Sequence, residues 1–473
     1  MDLFDHDATA QAELIRAGKI SPAELLDETI NRIEKLEPRF NAFTSLLFDE
    51  ARDAARSEDL PDGPFRGVPF AVKDLGFYLK GVPTYEGNRV LKELDFQSPA
   101  DSPLGKRIRE AGFVIVGKTQ TPEFGAQPTT QPLAFGPTRN PWDPNRSVSG
   151  SSGGSGAAVA SGMVAAAHAS DGGGSIRQPA SWCGLVGLKP SRGRMPRPTT
   201  TSRLGTDLAV TRSVRDTAAI LDALHGAVAT DLFNAPAPAR PYVEELDRDP
   251  GQLRVGVLTW VDHASVDVHP EAVRAVMGAI RLFESLGHEV SDEAPQHLFD
   301  EDFLHHAEID YASRMRAVFE ATWKLIGRDP VQGDVEPYTW SRMERMRSIS
   351  ALELIQSGAW LQGYAARIIS WWNKFDLLVT PSTGEPPATL EELQIDENDP
   401  YDIDVERFAR IRCFVRPFNV TGQPAISLPL HMTKDGLPLG VQLVAAPYRE
   451  NLLIQVASQL ERAAPWQDRR PPV

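Results

Sequence analysis

Two glycine-serine segments and one lysine carry the chemistry open to this chain. The first segment, SVSGSSGGSGAAVASG, runs from Ser147 to Gly162, and the second, SDGGGSIRQPAS, runs from Ser170 to Ser181. Glycine backbone is the costliest to fix on folding. Three glycines in a row, Gly172, Gly173 and Gly174, therefore mark either a floppy linker or a place where backbone comes very close to another group. Context excludes the linker, because the intervening AAVASGMVAAAHA is small and apolar, suited to a packed helix and strand. With MVAAAHA as a strand and SIRQPASW opening a helix, the glycines form the turn and Ser175 stands at the helix start. Successive amides in such a turn converge on one point, the helix dipole adds partial positive charge, and the missing side chains let a carbonyl oxygen approach.

A serine hydroxyl at that point needs a base, and no histidine is well placed. Lysine serves if burial keeps it neutral, since desolvation disfavours the ammonium. Lys73 follows GVPFAV, the most apolar setting of any lysine in the chain. Taken alone it reads as a strand-end lysine snorkelling to solvent; the two glycine-serine segments reverse that reading.

Other motif matches dissolve on inspection. GFVIVGKT, Gly112 to Thr119, spells a phosphate loop, but Phe113, Val114, Ile115 and Val116 belong to a buried strand and QTPEFG starts no helix. Gly150 to Gly154 spells a nucleophile elbow around Ser152 without the apolar strand that must lead into one. His168, Asp171 and Ser175 are too close along one strand end to face each other as a relay, so His168 reads as a strand histidine. His305 and His306 are adjacent, share no helical face and receive no metal role.

The elements that must hold these residues are partly visible. SPAELLDETINRIEKLEP predicts a helix capped by Ser21, with Glu24 closing a capping box and Leu25, Leu26, Ile30, Ile33 and Leu36 on one face. Strands are expected within GVPFAVKDL (Gly67 to Leu75), GFVIVGKT, LRVGVLTW (Leu253 to Trp260), FDLLVTP, AISLPL and LPLGVQLVAA. HPEAVRAVMGAIRLFESLG predicts a helix with Val273, Val276, Met277, Ile280 and Phe283 as its buried stripe and Gly287 as its stop, and HEV resumes extended chain. A helix around NLLIQVASQLERA ends the pattern. The alternation predicts α/β architecture, helices covering a largely parallel or mixed sheet. NAPAPARP, Asn234 to Pro241, reads as a surface crossing, and EELQIDENDPYDIDVE as a solvated acidic loop.

Bulk properties narrow the function. The chain has 473 residues, 41% hydrophobic and 24% charged, with a formal net charge of −15. That charge repels phosphate backbones, so no nucleic-acid partner is expected. The acidic opening MDLFDHDATAQAEL and the lack of an ~18-residue apolar run point away from secretion and membranes, towards the cytoplasm. Cys183 and Cys413 are too few and too far apart for a disulfide framework or a zinc site.

Taken together, GVPFAVKDL, GSSGGSGAAVASGM and SDGGGSIRQPASWCGLVGLKPSRGR resemble the amidase signature family of serine hydrolases. The resemblance extends through VGKTQTPEFG, PTRNPWDP, PFNVTGQPAISLP, GLPLGVQLV and RPPV, most of the chain. It implies one domain over 1–473 built on a large mixed sheet with helices on both faces, amino-terminal helices at about 6–57 and a substrate-pocket region at about 300–400. It further implies a Ser-Ser-Lys triad, with Ser175 of GGGSIR as nucleophile, Ser151 of GSSGG as the serine with a cis peptide bond, and Lys73 of AVKD as base. Amides of Gly172, Gly173, Gly174 and Ser175 then hold the oxyanion, and no metal or organic cofactor takes part; Asp171 and Arg177 are open to two readings, an ion pair bracing the loop or surface residues. Ser149 replaces the family's usual first glycine, and Gly172 replaces its usual threonine. The extra glycine resembles the branch of cyclic nylon-oligomer hydrolases, aryl acylamidases and urethane-cleaving amidases, which implies a roomier hole and secondary-amide or carbamate substrates.

Three activities are consistent with these residues. A free-standing amide hydrolase leads, as a monomer or homodimer acting on a small molecule. A glutamine-hydrolysing subunit of a transfer-RNA-dependent amidotransferase is the alternative, and an inert scaffold is disfavoured by the intact Lys73, Ser151 and Ser175. The substrate pocket is expected to draw on Gly125 and Ala126 and on the aromatic stretch Phe303 to Trp360, with Tyr311, Phe319, Trp323 and Tyr338.

Overall fold

Among the described residues, eleven of the thirteen strands form one sheet, and the element that ends at Lys73 lies near one side of it. The computed structural model describes residues 5–197, 204–261, 266–395 and 404–473, apart from the Arg314 side chain. In chain order the strands are β1 (Phe43–Leu46), β2 (Pro69–Lys73), β3 (Val114–Thr119), β4 (Arg139–Asn140), β5 (Asp143–Ser147), β6 (Ala166–Asp171) and β7 (Val186–Lys189). They continue with β8 (Thr206–Thr211), β9 (Arg254–Val257), β10 (Glu289–Ser291), β11 (Leu377–Pro381), β12 (Ala425–Met432) and β13 (Pro438–Ala445). The large sheet runs β1-β3-β2-β6-β8-β7-β12-β13-β11-β9-β10, and β4 and β5 form a separate hairpin.

The sheet is mixed. β2 pairs in parallel with β3 and β6, and β9 with β10 and β11, while the strands between run antiparallel. β2, β6, β7, β8, β11 and β13 are buried along their whole length, as expected of strands covered on both faces. Residues 114–119 are strand throughout, so the phosphate-loop spelling has no loop behind it.

Local sequence explains most helices. Pro22–Phe40 starts at the Ser21 cap, with the Ser21–Glu24 box closed in both directions and Leu25, Leu26, Ile30, Ile33 and Leu36 buried. Pro270–Ser285 buries Ala272, Ala275, Val276, Ala279 and Phe283 against β11, β12 and β13. The predicted stripe was too large in its side chains: Met277 is exposed, and alanines carry the contact because small residues let the helix lie close to the sheet. The acidic stretch from Glu391 lies partly outside the described residues, at 396–403. Asn234 to Pro241 is irregular and mostly at the surface, as expected.

The helix Gly153–Ala160 follows the first glycine-serine segment and is wholly buried. At Gly154 a Cβ would lie 2.3 Å from the Gln120 amide nitrogen and 2.4 Å from the Ala42 carbonyl oxygen. Backbone therefore meets backbone, and only glycine fits. Gly278, inside the Pro270–Ser285 helix, has only the Arg281 guanidinium within 4 Å of such an atom. Alanine at Gly278 should stabilise the protein by about 0.5–1 kcal/mol through helix propensity, whereas Gly154→Ala should destabilise it by about 1–3 kcal/mol or more through overpacking. Chemical denaturation of both variants separates the two effects; equal and small changes would refute the close approach at Gly154.

Candidate active site

Lys73 is the last residue of β2 and fully buried. Its Nζ lies 2.6 Å from Ser151 Oγ and 3.0 Å from Ser170 Oγ. Both neighbours are neutral hydroxyls. Burial, the dominant influence, brings the lysine down to about 7, against the pull of the Asp207 and Asp171 carboxylates. The amine is thus poised to exist uncharged near neutral pH.

Ser151 is held by the turn that precedes Gly153–Ala160, and the Gly150–Ser151 peptide bond is cis. Ser152 is not a nucleophile candidate: its hydroxyl donates to the Ser170 carbonyl and accepts from the Ser170 amide, both at 3.2 Å, tying the two glycine-serine segments together. Ser170 was not anticipated. It lies two residues after His168 on β6, so period-two reading of the strand puts both on the face towards Lys73. His168 is a buried strand residue whose Nδ1 accepts the Lys73 backbone N–H at 3.3 Å, with Nε2 3.4 Å from Asp207. Burial lowers its pKa in spite of Asp207. It shapes the strand end and is not among the residues around the cavity.

The glycine turn follows β6 directly. Asp171 accepts the Gly174 amide at 2.7 Å and the Ile176 amide at 3.2 Å, and pairs bidentately with Arg177 at 2.9 and 3.0 Å. Burial alone would raise the Asp171 carboxyl, but Arg177, with Lys189 and Asn419, holds it well below the usual carboxylate range. The anticipated brace is therefore a buried ion pair, completed by Arg177 contacts to Asn419, Gln442 and the Val415 carbonyl. Because its amide is committed to Asp171, Gly174 leaves the expected set of oxyanion donors. Its contribution is conformational, with φ at +116° and no room for a Cβ beside Val415. Among the described residues the amides of Gly172, Gly173 and Ser175 have no acceptor. A Cβ on Gly172 or Gly173 would meet nothing within 4 Å, so space itself is what those positions provide. The helix starts only at Arg177 and is seven residues long; the amides without acceptors belong to the turn rather than to the end of a helix.

Ser175 is partly exposed and lines, with Ser151, Gly172 and Gly173, a cavity of about 160 Å³. The two serine hydroxyls share that cavity without a hydrogen bond between them among the described contacts. Gly125 and Ala126 line it too, and a Cβ on Gly125 would stand 3.2 Å from Ser151 Oγ. Of the four aromatics expected at the pocket, Tyr311 alone reaches the cavity wall. Trp323 and Phe319 pack with Phe124 behind it, and Tyr338 is buried beside a different groove. Glu86, which the sequence did not single out, also lines the cavity; burial raises its carboxyl, whose Oε1 accepts from Gly76 and Tyr78. No three-residue cluster of metal-ligating side chains occurs among the described residues.

The family model for amidases matches residues 24–454. The chain belongs to the amidase family. It is 43% identical to a 6-aminohexanoate-cyclic-dimer hydrolase of Paenarthrobacter ureafaciens, over all of this chain and 97% of the relative. A structure of 6-aminohexanoate cyclic dimer hydrolase complexed with substrate superposes with a TM-score of 0.94 at 41% identity, covering 100% and 99% of the two chains. A bacterial aryl acylamidase of the amidase signature enzymes follows the same path at a TM-score of 0.87 and 25% identity, over 98% and 96%. The reaction class is hydrolysis of a carbon–nitrogen amide bond, and the amidotransferase-subunit reading is not favoured. No helix among the described residues is long and apolar enough to cross a membrane.

The buried amine makes a stability prediction. Unfolded, a lysine titrates near its ordinary 10.5, and here it titrates near 7, so between those values the unfolded chain binds a proton that the folded amidase does not. Stability contributed by this position therefore rises with pH. Lys73→Met should raise the melting temperature at pH 7, and the gain should shrink as pH approaches 10. A gain independent of pH, or none, would show that the amine is not desolvated.

Proposed function

We propose that this amidase cleaves secondary amides through a covalent acyl-enzyme on Ser175, with Ser151 and Lys73 as its proton relay. The observation that carries this reading is the 2.6 Å contact between a fully buried amine and the Ser151 hydroxyl, on the cavity that Ser175 also lines. Neutral Lys73 takes the Ser151 proton while Ser151 takes that of Ser175, whose oxygen attacks the carbonyl carbon. The developing oxyanion lies against the amides of Gly172, Gly173 and Ser175. Collapse breaks the carbon–nitrogen bond as Ser151 returns a proton to the leaving amine, itself recharged from the Lys73 ammonium. Water then enters by the same relay and releases the acid.

Carbamates and esters suit the same route, since an acyl-enzyme tolerates any leaving heteroatom that can be protonated. The open space at Gly172, together with relatives named for a cyclic dimer and for aryl amides, supports substituted amides over primary ones. Gly125 and Ala126 are the proposed floor of the substrate pocket.

Purified protein should hydrolyse an anilide and the cyclic 6-aminohexanoate dimer. Ser175→Ala should lower kcat by on the order of 10⁴–10⁶-fold and lose labelling by a fluorophosphonate probe, with Lys73→Ala comparable and Ser151→Ala severe but weaker. Normal turnover by Ser175→Ala would end this assignment. Activity should also climb with pH through about 7, as Lys73 sheds its proton and becomes a base; a profile falling across that range would be incompatible with a neutral-lysine mechanism.

A further inference from the structure

Amide cleavage does not account for the charge on the cavity wall. Arg342, Arg412 and Arg416 line the cavity from three separate helices, Pro337–Met346, Val405–Arg412 and Arg416–Thr421. One carboxylate serves two of them. Glu308 is bridged between Arg342, hydrogen-bonded at Oε1, and Arg416, at 3.0 Å from Oε2. Burial would raise the Glu308 carboxyl, but the two guanidiniums hold it far below its ordinary value, so both its oxygens are engaged. Arg412 donates its Nε to the Phe408 carbonyl at 3.2 Å and has no carboxylate partner among the described residues. Arg197, also on the cavity, is occupied by Asp207 at 2.6 Å. Glu86, the one acid among the described residues of the wall, is driven by burial towards its uncharged form.

This excess of positive charge is not a by-product of composition, because the whole chain carries a formal charge of −15. A cleft of one sign inside a protein of the other concentrates ligands of opposite charge. The wall is also tied to the reacting groups. Arg342 donates to the Ala126 carbonyl at 3.1 Å and Tyr311 to that of Gly125 at 3.3 Å, and Gly125 is the residue with no space between it and Ser151.

We propose that the cavity recognises a free carboxylate on the substrate, seated on Arg412 with help from Arg416, so that the preferred amides are acid-terminated chains. The proposal rests on the amide-hydrolase reading of Ser175 and adds its substrate class. A guanidinium binds carboxylate through two parallel N–H···O contacts, a geometry that lysine cannot reproduce. The Arg412 charge, with burial acting first and the neighbouring Arg416 and Arg342 adding to it, is destabilised in the structure as it stands; an arriving anion relieves that.

The test compares adipic acid mono-p-nitroanilide with hexanoic acid p-nitroanilide, which carries a methyl group in place of the far carboxylate, with release of p-nitroaniline as the readout. The carboxylate-bearing anilide should be cleaved with a kcat/KM at least about tenfold higher, and the ratio should fall towards one in Arg412→Gln and with added salt. Should that variant fail to fold by circular dichroism, Arg416→Gln serves in its place. A wild-type ratio at or below one, or a ratio unmoved by substitution, overturns the carboxylate site and leaves the amidase reading intact. Cleavage of neither compound counts against the amidase reading, and adipate titrated into wild type by calorimetry then decides the site: saturable binding weakened about tenfold or more by Arg412→Gln supports it, and no binding refutes it.

Discussion

An amine kept from water is the constraint on which the rest of this structure depends. Three lysines are fully buried, Lys73, Lys118 and Lys189, and their partners differ in kind. Lys118, on β3 beside β2, has the Asp74 carboxylate at 3.2 Å and the Phe77 carbonyl at 2.9 Å, so its ammonium is neutralised in place. Lys189 donates to the Pro190 carbonyl, which accepts a proton contact but gives none. Among the described residues the Lys73 amine meets only hydroxyls, groups that can both donate and accept. A neutral amine needs a donor to its lone pair and an ammonium needs acceptors; serine supplies either. The same desolvation that would be a plain cost elsewhere becomes useful only where the neighbours tolerate both charge states.

The second requirement is that the glycine turn leave some amides unspent. Buried N–H groups normally find acceptors, and a flexible turn would satisfy its own. Asp171 prevents this. By accepting Gly174 and Ile176 and being locked to Arg177, it takes up alternate amides, and those of Gly172, Gly173 and Ser175, residues that line the cavity, are left without an acceptor among the described residues. The lock has reach: Arg177 is gripped by Asn419 and Gln442 from segments more than two hundred residues away. The carboxy-terminal helix Arg416–Thr421 and β13 thereby help to hold the glycine turn in the first half of the chain.

Much of this was legible in the sequence, and the failures share a cause. Elements governed by local pattern were readable: the Ser21 box, the apolar β2 that ends at Lys73 and the glycine turn each announce themselves within ten residues. What depends on which surface faces which was not. Met277 obeys the helical period yet points outward, because the sheet beneath wants alanine. Gly174 looks like its neighbours in the string and differs only through the carboxylate it meets. Ser170 stands in the very segment that drew attention, but its role needs β2 and β6 to be adjacent, with Ala71 opposite Ala167. Arg342, Arg412 and Arg416 are ordinary helix arginines by spacing, and nothing short of the fold gathers them on one cavity with Glu308.

These differences suggest a division of labour within the amidase. The proposed relay and amide donors come from the end of β2, the turn before Gly153–Ala160 and the turn after β6, and Gly154 in that buried helix admits no side chain, so that part of the site has little freedom to change. The opposing charge and the aromatic contact come from the helices Phe303–Ile326, Pro337–Met346, Val405–Arg412 and Arg416–Thr421, joined to the carbonyls of Gly125 and Ala126 through Tyr311 and Arg342, and to the glycine turn through Asn419, which bonds Asp171 and Arg177. A carbonyl accepts from any donor that reaches it. Those carbonyls therefore constrain where the wall attaches but not which side chains it presents, so the proposed substrate recognition by residues such as Arg412 can shift without disturbing the buried amine of the proposed relay.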